Sequence, residues 1–279
     1  MSGFFATAPD RAVLKVEGPD RIAFLQGLVS NDVALAGQDR AIWAALLTPQ
    51  GRYLFDFFIS EAGETLRLDV EAARLADLAR KLSIYRLRSK VTITPAPNLA
   101  VHLVWDAPAA IGTPDPRRPE LGARVILPVE SGDVPLRDAG LAPGDIADWD
   151  RRRLALGVPD GTRDLVPEKS ILLENGFDAL HGVSWTKGCY IGQELTARTK
   201  YRGLVKKRLI PVRVEGPLPS PGTPILRPDG TEAGEMRSGR DDLGLALIRL
   251  DALGGVLRAG EAGLVPMPPD WLEVTAEGT

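Results

Sequence analysis

Hydrophobic and polar positions change period several times along the chain, and each change predicts an element. "AVLKV" (Ala12 to Val16) reads as a short strand. "GPDRIAFLQGLVSNDV" then spaces Ile22, Leu25 and Leu28 at helical intervals, with Asp20 at the N-cap position. "AIWAALLTPQGRYLFDFFIS" is two apolar runs joined by Thr48-Pro49-Gln50-Gly51, which predicts a hairpin. "TLRLDV" alternates again, "EAARLADLARKLSIYRL" reads as an amphipathic helix from Glu71, and "KVTITPA" returns as a strand that stops at Pro95. Residues 107–120, "APAAIGTPDPRRPE", carry the Pro and Gly density of a loop. "ARVILPV" is a further strand, and "DIADWDRRRLALGVPD" predicts a helix from about Asp145 to Leu156, ended by Gly157 and Pro159.

From Leu204 the pattern shortens. "LIPVRV", "TPILR", "EAGEMRS", "LGLALIRL" and "GVLRA" are brief apolar runs cut by Gly, Pro and Asp turns, which predicts a small β-barrel or sandwich. The fold class read from this order is α+β, antiparallel sheets with helices. The expected division is 1–203, as two α+β subdomains meeting near 95–120, followed by a barrel over 204–279.

Composition narrows the function classes. A hydrophobic fraction of 44% and a charged fraction of 25% are those of an ordinary soluble globular protein. The net charge of -3 excludes bulk electrostatic attraction to nucleic acid, so direct DNA binding is not expected. No apolar run of about 18 residues is present to span a membrane. A single cysteine cannot form an internal disulfide, and the N-terminal segment lacks a signal-peptide pattern; both point to the cytoplasm.

Metal-ligand spacings, a G-x-S-x-G elbow and a P-loop are all absent from the sequence, so no permanently bound metal is expected. His102 sits in the apolar strand "LAVHLVW", where a sheet position is the simpler reading; His181 precedes the cysteine by eight residues. Residue type alone would bury Cys189 as a small apolar side chain. Its neighbours in "WTKGCYIGQELTAR" argue otherwise. Lys187 lies two positions before it, and "GQELTART" reads as a helix start at Gly192 with Glu194 in the first turn. A nearby ammonium and free helix N–H groups both favour a thiolate. Downstream, "RTKYRGLVKKR" places six basic residues in eleven positions, either a solvated surface or a dock for an anionic group.

"KGCYIGQE", together with "DRIAFLQGLVSND", "LLTPQGRYLFDFFI", "YRLRSKV" and "LALGVPD", resembles the YgfZ family, folate-binding-fold proteins linked to iron–sulfur cluster assembly. The resemblance implies three domains around a central cavity, as in the aminomethyltransferase (T-protein) of glycine cleavage, with tetrahydrofolate or a related folate as cofactor. It implies that Cys189 and Lys187 belong to the functional site, Cys189 being a nucleophile or at most a transient single ligand to a cluster. Asp32, Arg52, Arg153, Gln193 and Glu194 are then the candidates to position the folate. Implied partners are iron–sulfur client or assembly proteins, tRNA-modifying enzymes among them, with the chain itself monomeric.

The aminomethyltransferases carry adjacent acids after the hairpin and an R-x-E-x-G stretch. Here Phe55 precedes a lone Asp56, and Ala155 stands where the glutamate belongs in "RLALG". Two alternatives remain beside the assembly-factor reading: a tetrahydrofolate-dependent one-carbon transferase, and a non-catalytic module docking a partner through Arg198–Arg208.

Overall fold

Residues 3–107 and 111–272 are described by the structure, a computed structural model, so part of the expected 107–120 loop lies outside the described residues. Two compact units share the chain. The first takes residues 1–47, 54–149 and 181–191, the second 48–53, 150–180 and 192–279.

The first unit holds two five-stranded sheets. One runs in the order Ile42–Leu47, Tyr53–Ala62, Thr65–Glu71, Arg11–Glu17, Thr92–Pro95. All six side chains of Ile42–Leu47 are buried, which is why this strand reads as an unbroken apolar run. Thr65–Glu71 keeps the period of two, with Leu66, Leu68 and Val70 in the core beside Leu14, Val16, Phe57 and Ile59. Helix Leu75–Arg86 lays Leu78 and Leu82 onto this core, preceded by a 3-10 turn over Ala72–Arg74. The other sheet runs Ala142–Pro143, Phe4–Thr7, Leu99–Trp105, Ala123–Pro128, Thr113–Pro114. His102 lies buried in its middle strand and meets Thr7 Oγ1 through Nδ1 at 3.1 Å, a sheet position as expected.

The predicted helix near Asp20 is shorter than its apolar spacing implied. It covers Arg21–Gln26, so Leu28 falls in the turn that follows. Asp20 occupies the N-cap position but caps nothing; its carboxylate accepts the Lys90 amide at 2.7 Å.

Helix Ile146–Ala155, whose residues from Asp150 onward belong to the second unit, stops where Gly157 takes a φ of 74°. The C-terminal strands close into a six-stranded barrel, because Lys207–Glu215 pairs with Leu243–Arg249 on one side and Ala262–Pro266 on the other. Closure leaves no open edge. The strand Ala262–Pro266 is the one the sequence pattern missed, its five residues holding Gly263 and Pro266.

The hairpin tip Thr48–Tyr53 also belongs to the second unit. Thr48 and Arg52 close the turn, with the Gly51 amide on the Thr48 carbonyl and Gly51 at a φ of 82°. A Cβ on Gly51 would stand 2.5 Å from Leu195 Cβ and 2.6 Å from the Gly192 carbonyl oxygen. Gly51→Ala therefore meets both a disfavoured φ and a backbone clash, and is expected to cost about 1–3 kcal/mol. Urea melts of the two proteins check this; equal midpoints would show that the tip relaxes freely.

Candidate functional site

The segment from His181 to Ile191 is stitched to the turn that follows helix Arg21–Gln26. Ser30 Oγ donates to the Gly182 carbonyl at 2.7 Å, and the Ser184 amide donates back to the Ser30 carbonyl at 3.0 Å. Asn31 Nδ2 donates both to the His181 carbonyl at 2.7 Å and to the Trp43 carbonyl at 2.8 Å. Ser30 and Asn31 are buried, so these bonds are made out of water and fix the segment on the sheet. His181 itself is exposed, with a φ of 58°.

Lys187 then turns inward. Its Nζ donates to the carbonyls of Gln26 at 2.7 Å, Val29 at 2.7 Å and Asn31 at 2.9 Å. An ammonium has three donors, and here all three are engaged. Burial pulls the group down from the ordinary lysine value of 10.5 to about 8, while the Asp32 charge works in the opposite direction. Asp32 is held by the same turn: one carboxylate oxygen accepts from Gln26 Nε2 at 2.9 Å and from the Ala34 amide at 3.1 Å. The Tyr190 ring lies 5.2 Å from the Lys187 ammonium, within cation–π range.

Beyond the cysteine, Ile191 is tied down again, its amide to the Gly27 carbonyl at 3.3 Å and its side chain on the core. Between these anchors Gly188 and Cys189 stand exposed, with open space around Gly188. Residue type alone buries a cysteine; this one is presented to solvent. The N–H groups of Lys187 point at these backbone carbonyls and leave none for the Cys189 sulfur.

The remaining candidates lie in the second unit. Arg52 donates to the Lys169 carbonyl at 2.9 Å. Gln193 opens helix Gln193–Tyr201, which starts after Gly192 as the sequence predicted, with Glu194 exposed in its first turn. Arg153 is sealed inside the second unit. It is 0% exposed, and Nε, Nη1 and Nη2 are spent on Asp150, Asp164, the Val158 carbonyl and Ser238 Oγ at 2.8–3.0 Å. A ligand reaching it would have to break that buried network. In the basic stretch, Arg198, Lys200, Arg202 and Lys206 are exposed, whereas Arg208 pairs with Asp178 at 3.0 Å.

Sequence reasoning missed Gln26, Ser30 and Asn31. Their one signal was three polar side chains inside the apolar stretch "FLQGLVSND". Among the described residues no three His, Cys, Asp or Glu side chains converge as a metal site.

The chain superimposes on the glycine cleavage system aminomethyltransferase T from Bartonella henselae with a TM-score of 0.73 at 13% identity, covering 98% of this chain and 87% of that one. Residues 206–274 match the family model described as CAF17, C-terminal beta-barrel domain. The class is thus an aminomethyltransferase-like fold carrying a CAF17-type barrel. The mitochondrial iron–sulfur cluster assembly factor IBA57 of Mus musculus is 37% identical over 96% of this chain and 85% of its own length. The Homo sapiens protein of the same name is 38% identical over 94% and 83%. The chain belongs to the IBA57 family of iron–sulfur cluster assembly factors. The cytoplasmic location expected from the sequence is contradicted by these relatives, which are mitochondrial.

Proposed function

We propose that this protein acts in the maturation of iron–sulfur proteins, with Cys189 lending one thiolate to a cluster whose other ligands come from a partner or client. The observation that carries the reading is the exposed Gly188-Cys189 turn, fixed on both flanks by Lys187 and Ile191. An anchored but exposed thiol can reach into another protein's cluster. A chain with one cysteine cannot enclose a cluster that takes about four such ligands. Ligation requires the thiolate, so the sulfur gives up its proton as the iron–sulfur bond forms. The resemblance to YgfZ proteins extends the proposed clients to enzymes that modify tRNA.

Tetrahydrofolate enters this reading through the fold alone, and the residues at the acid positions do not fit a pterin. Phe55 is buried under the Arg74 guanidinium, 4.0 Å from its ring centroid. Asp56 is buried and accepts from Trp43 Nε1 at 2.9 Å, and the exposed Ala155 offers no carboxylate. No step is therefore assigned to folate, and one-carbon transfer is not the function proposed.

Cys189→Ser, expressed in cells lacking the native protein, is expected to leave iron–sulfur enzyme activity at the level of the empty vector. Its thermal melt should match the wild type, since the exposed side chain carries no packing. Full restoration of activity would remove the sulfur from the mechanism.

A further inference from the structure

The turn Leu173–Asn175 carries a carboxylate that nothing in the fold engages directly. Glu174 is half-buried, yet among the described residues it accepts no hydrogen bond and enters no ion pair. Polar groups withdrawn from water are partnered as a rule, so an unmade acceptor here points to a missing donor. Four cations of the second unit, Lys207, Arg52, Arg208 and Arg237, are near enough for their charges to act on it. Burial prevails all the same and pushes the Glu174 carboxyl up from its ordinary 4.5, against the pull of all four.

Separate elements bring these side chains together. The hairpin tip presents Arg52 and is laced to the segment before Glu174. The Tyr53 amide donates to the Ser170 carbonyl at 3.0 Å, the Glu168 amide to the Tyr53 carbonyl at 2.7 Å, and Arg52 Nη1 to the Lys169 carbonyl at 2.9 Å. Barrel strand Lys207–Glu215 opens on the same turn. Its Arg208 guanidinium grips the Leu173 carbonyl and pairs with Asp178 at 3.0 Å, which brings the neighbouring Lys207 to Glu174. Strand Glu232–Arg240 supplies Arg237, paired with Glu235 at 2.8 Å.

The acids divide the cations into two kinds. Asp178 and Glu235 answer Arg208 and Arg237, whereas Lys207 and Arg52 pair with no acid among the described residues. Lys207 is half-buried and its ammonium donates to nothing there; Arg52, also half-buried, spends only Nη1. Two sets of donors and one carboxylate acceptor are thus left over. A metal ion would meet the two unanswered cations, and a fully deprotonated anion would meet Glu174. A species that offers oxygens to the cations and one O–H to the carboxylate suits both. Phosphate does so near neutral pH, because its second pKa of about 6 lets one oxygen keep or regain a proton. Sulfate and phosphodiesters, whether of nucleic acid or of lipid, carry no such proton and would set a bare oxygen against Glu174.

We propose that Arg52, Glu174 and Lys207 form a binding site for phosphate or a phosphate monoester, held by the two cations and by one proton shared with the Glu174 carboxylate. Arg208 and Arg237 stand around it, each answered by its own acid.

Isothermal titration of the full chain near neutral pH, at matched ionic strength, compares inorganic phosphate with methyl phosphate, sulfate and dimethyl phosphate. Phosphate is expected to bind at least about tenfold more tightly than sulfate or dimethyl phosphate, the worth of one charge-assisted hydrogen bond. Tighter binding of methyl phosphate than of inorganic phosphate names a monoester as the ligand, and the reverse order names the free ion. Lys207→Gln should weaken phosphate about tenfold with an unchanged melt, since its ammonium holds no other described residue. Lys206→Gln, one position earlier and exposed, should match the wild type. Glu174→Gln puts amide donors where the carboxylate stood and should erase the preference for phosphate over sulfate. No heat with millimolar phosphate, equal wild-type affinities for phosphate and sulfate, or phosphate binding untouched by Lys207→Gln would each overturn the site.

Discussion

Arg153→Ala is expected to destabilise the second unit by about 3–5 kcal/mol, the cost of leaving buried carboxylates without their cation. Arg153 is fully buried between Asp150 at 2.9 Å and Asp164 at 2.8 Å, and Nη2 also reaches Ser238 Oγ at 3.0 Å. Its guanidinium therefore clasps helix Ile146–Ala155, the loop through Asp164 and barrel strand Glu232–Arg240. Removing it strands Asp164 more than Asp150, which keeps Arg163 and Arg240.

The acid limb should move as well. Burial pushes the Asp150 carboxyl up, but hydrogen bonds from Arg163 and Arg240 and the charges of Arg153 and Arg163 hold it well below its ordinary value of 3.8. With the folded value below the unfolded one, the stabilisation is complete above 3.8 and is lost as pH falls further. The variant, lacking one of these cations, should lose less stability across that acid window. Arg151, on the same helix, supplies the contrast. It reaches Asp242 at 2.6 Å from an exposed position, so Arg151→Ala should leave the urea midpoint unchanged. Equal losses from the two variants would show that the buried network carries no special weight.

Lys187→Met is expected to cost about 2–4 kcal/mol in the first unit and to abolish restoration of iron–sulfur enzyme activity in cells. Three carbonyls lose a charged donor at once, and each poorly solvated acceptor left behind is worth about 1–3 kcal/mol at most. Met keeps most of the length of the stem and so separates lost hydrogen bonds from a lost side chain. Lys187→Arg should also fail, because a planar guanidinium cannot aim at three convergent oxygens as an ammonium does.

The pH dependence has a defined sign. Folded Lys187 releases its proton near 8 and the unfolded residue near 10.5, so between these values the unfolded chain binds more protons. The cost of keeping the charge buried is present in full below 8 and is relieved as pH climbs towards 10.5. The stability gap between wild type and Lys187→Met should widen through that window, as followed by urea melts. A narrowing gap would mean that the carbonyl bonds to the ammonium outweigh its burial.

Local pattern alone makes much of the fold legible. The hairpin at Thr48–Gly51, helix Gln193–Tyr201 and five of the barrel strands follow from apolar period and turn chemistry, which act over a few neighbouring residues. Ala262–Pro266 escapes it because Gly263 and Pro266 punctuate its five residues as a turn would, and Phe4–Thr7 escapes it as well. Asp20 marks the limit of capping rules. The residue type suits an N-cap, yet the carboxylate is claimed by Lys90, seventy residues away.

The sequence by itself determined that one thiol stands in a dense, Gly-flanked segment, and that an α+β region precedes a small β-barrel. Tertiary structure decided which way the charges face. In Arg151-Arg152-Arg153 nothing local says that the first lies at the surface while the last is sealed among aspartates. The same holds for Lys187, which sits beside Cys189 in the chain but is held by carbonyls 156–161 residues earlier. Every residue has a backbone carbonyl, so such a partner leaves no mark in the sequence, and only folding shows which ones converge.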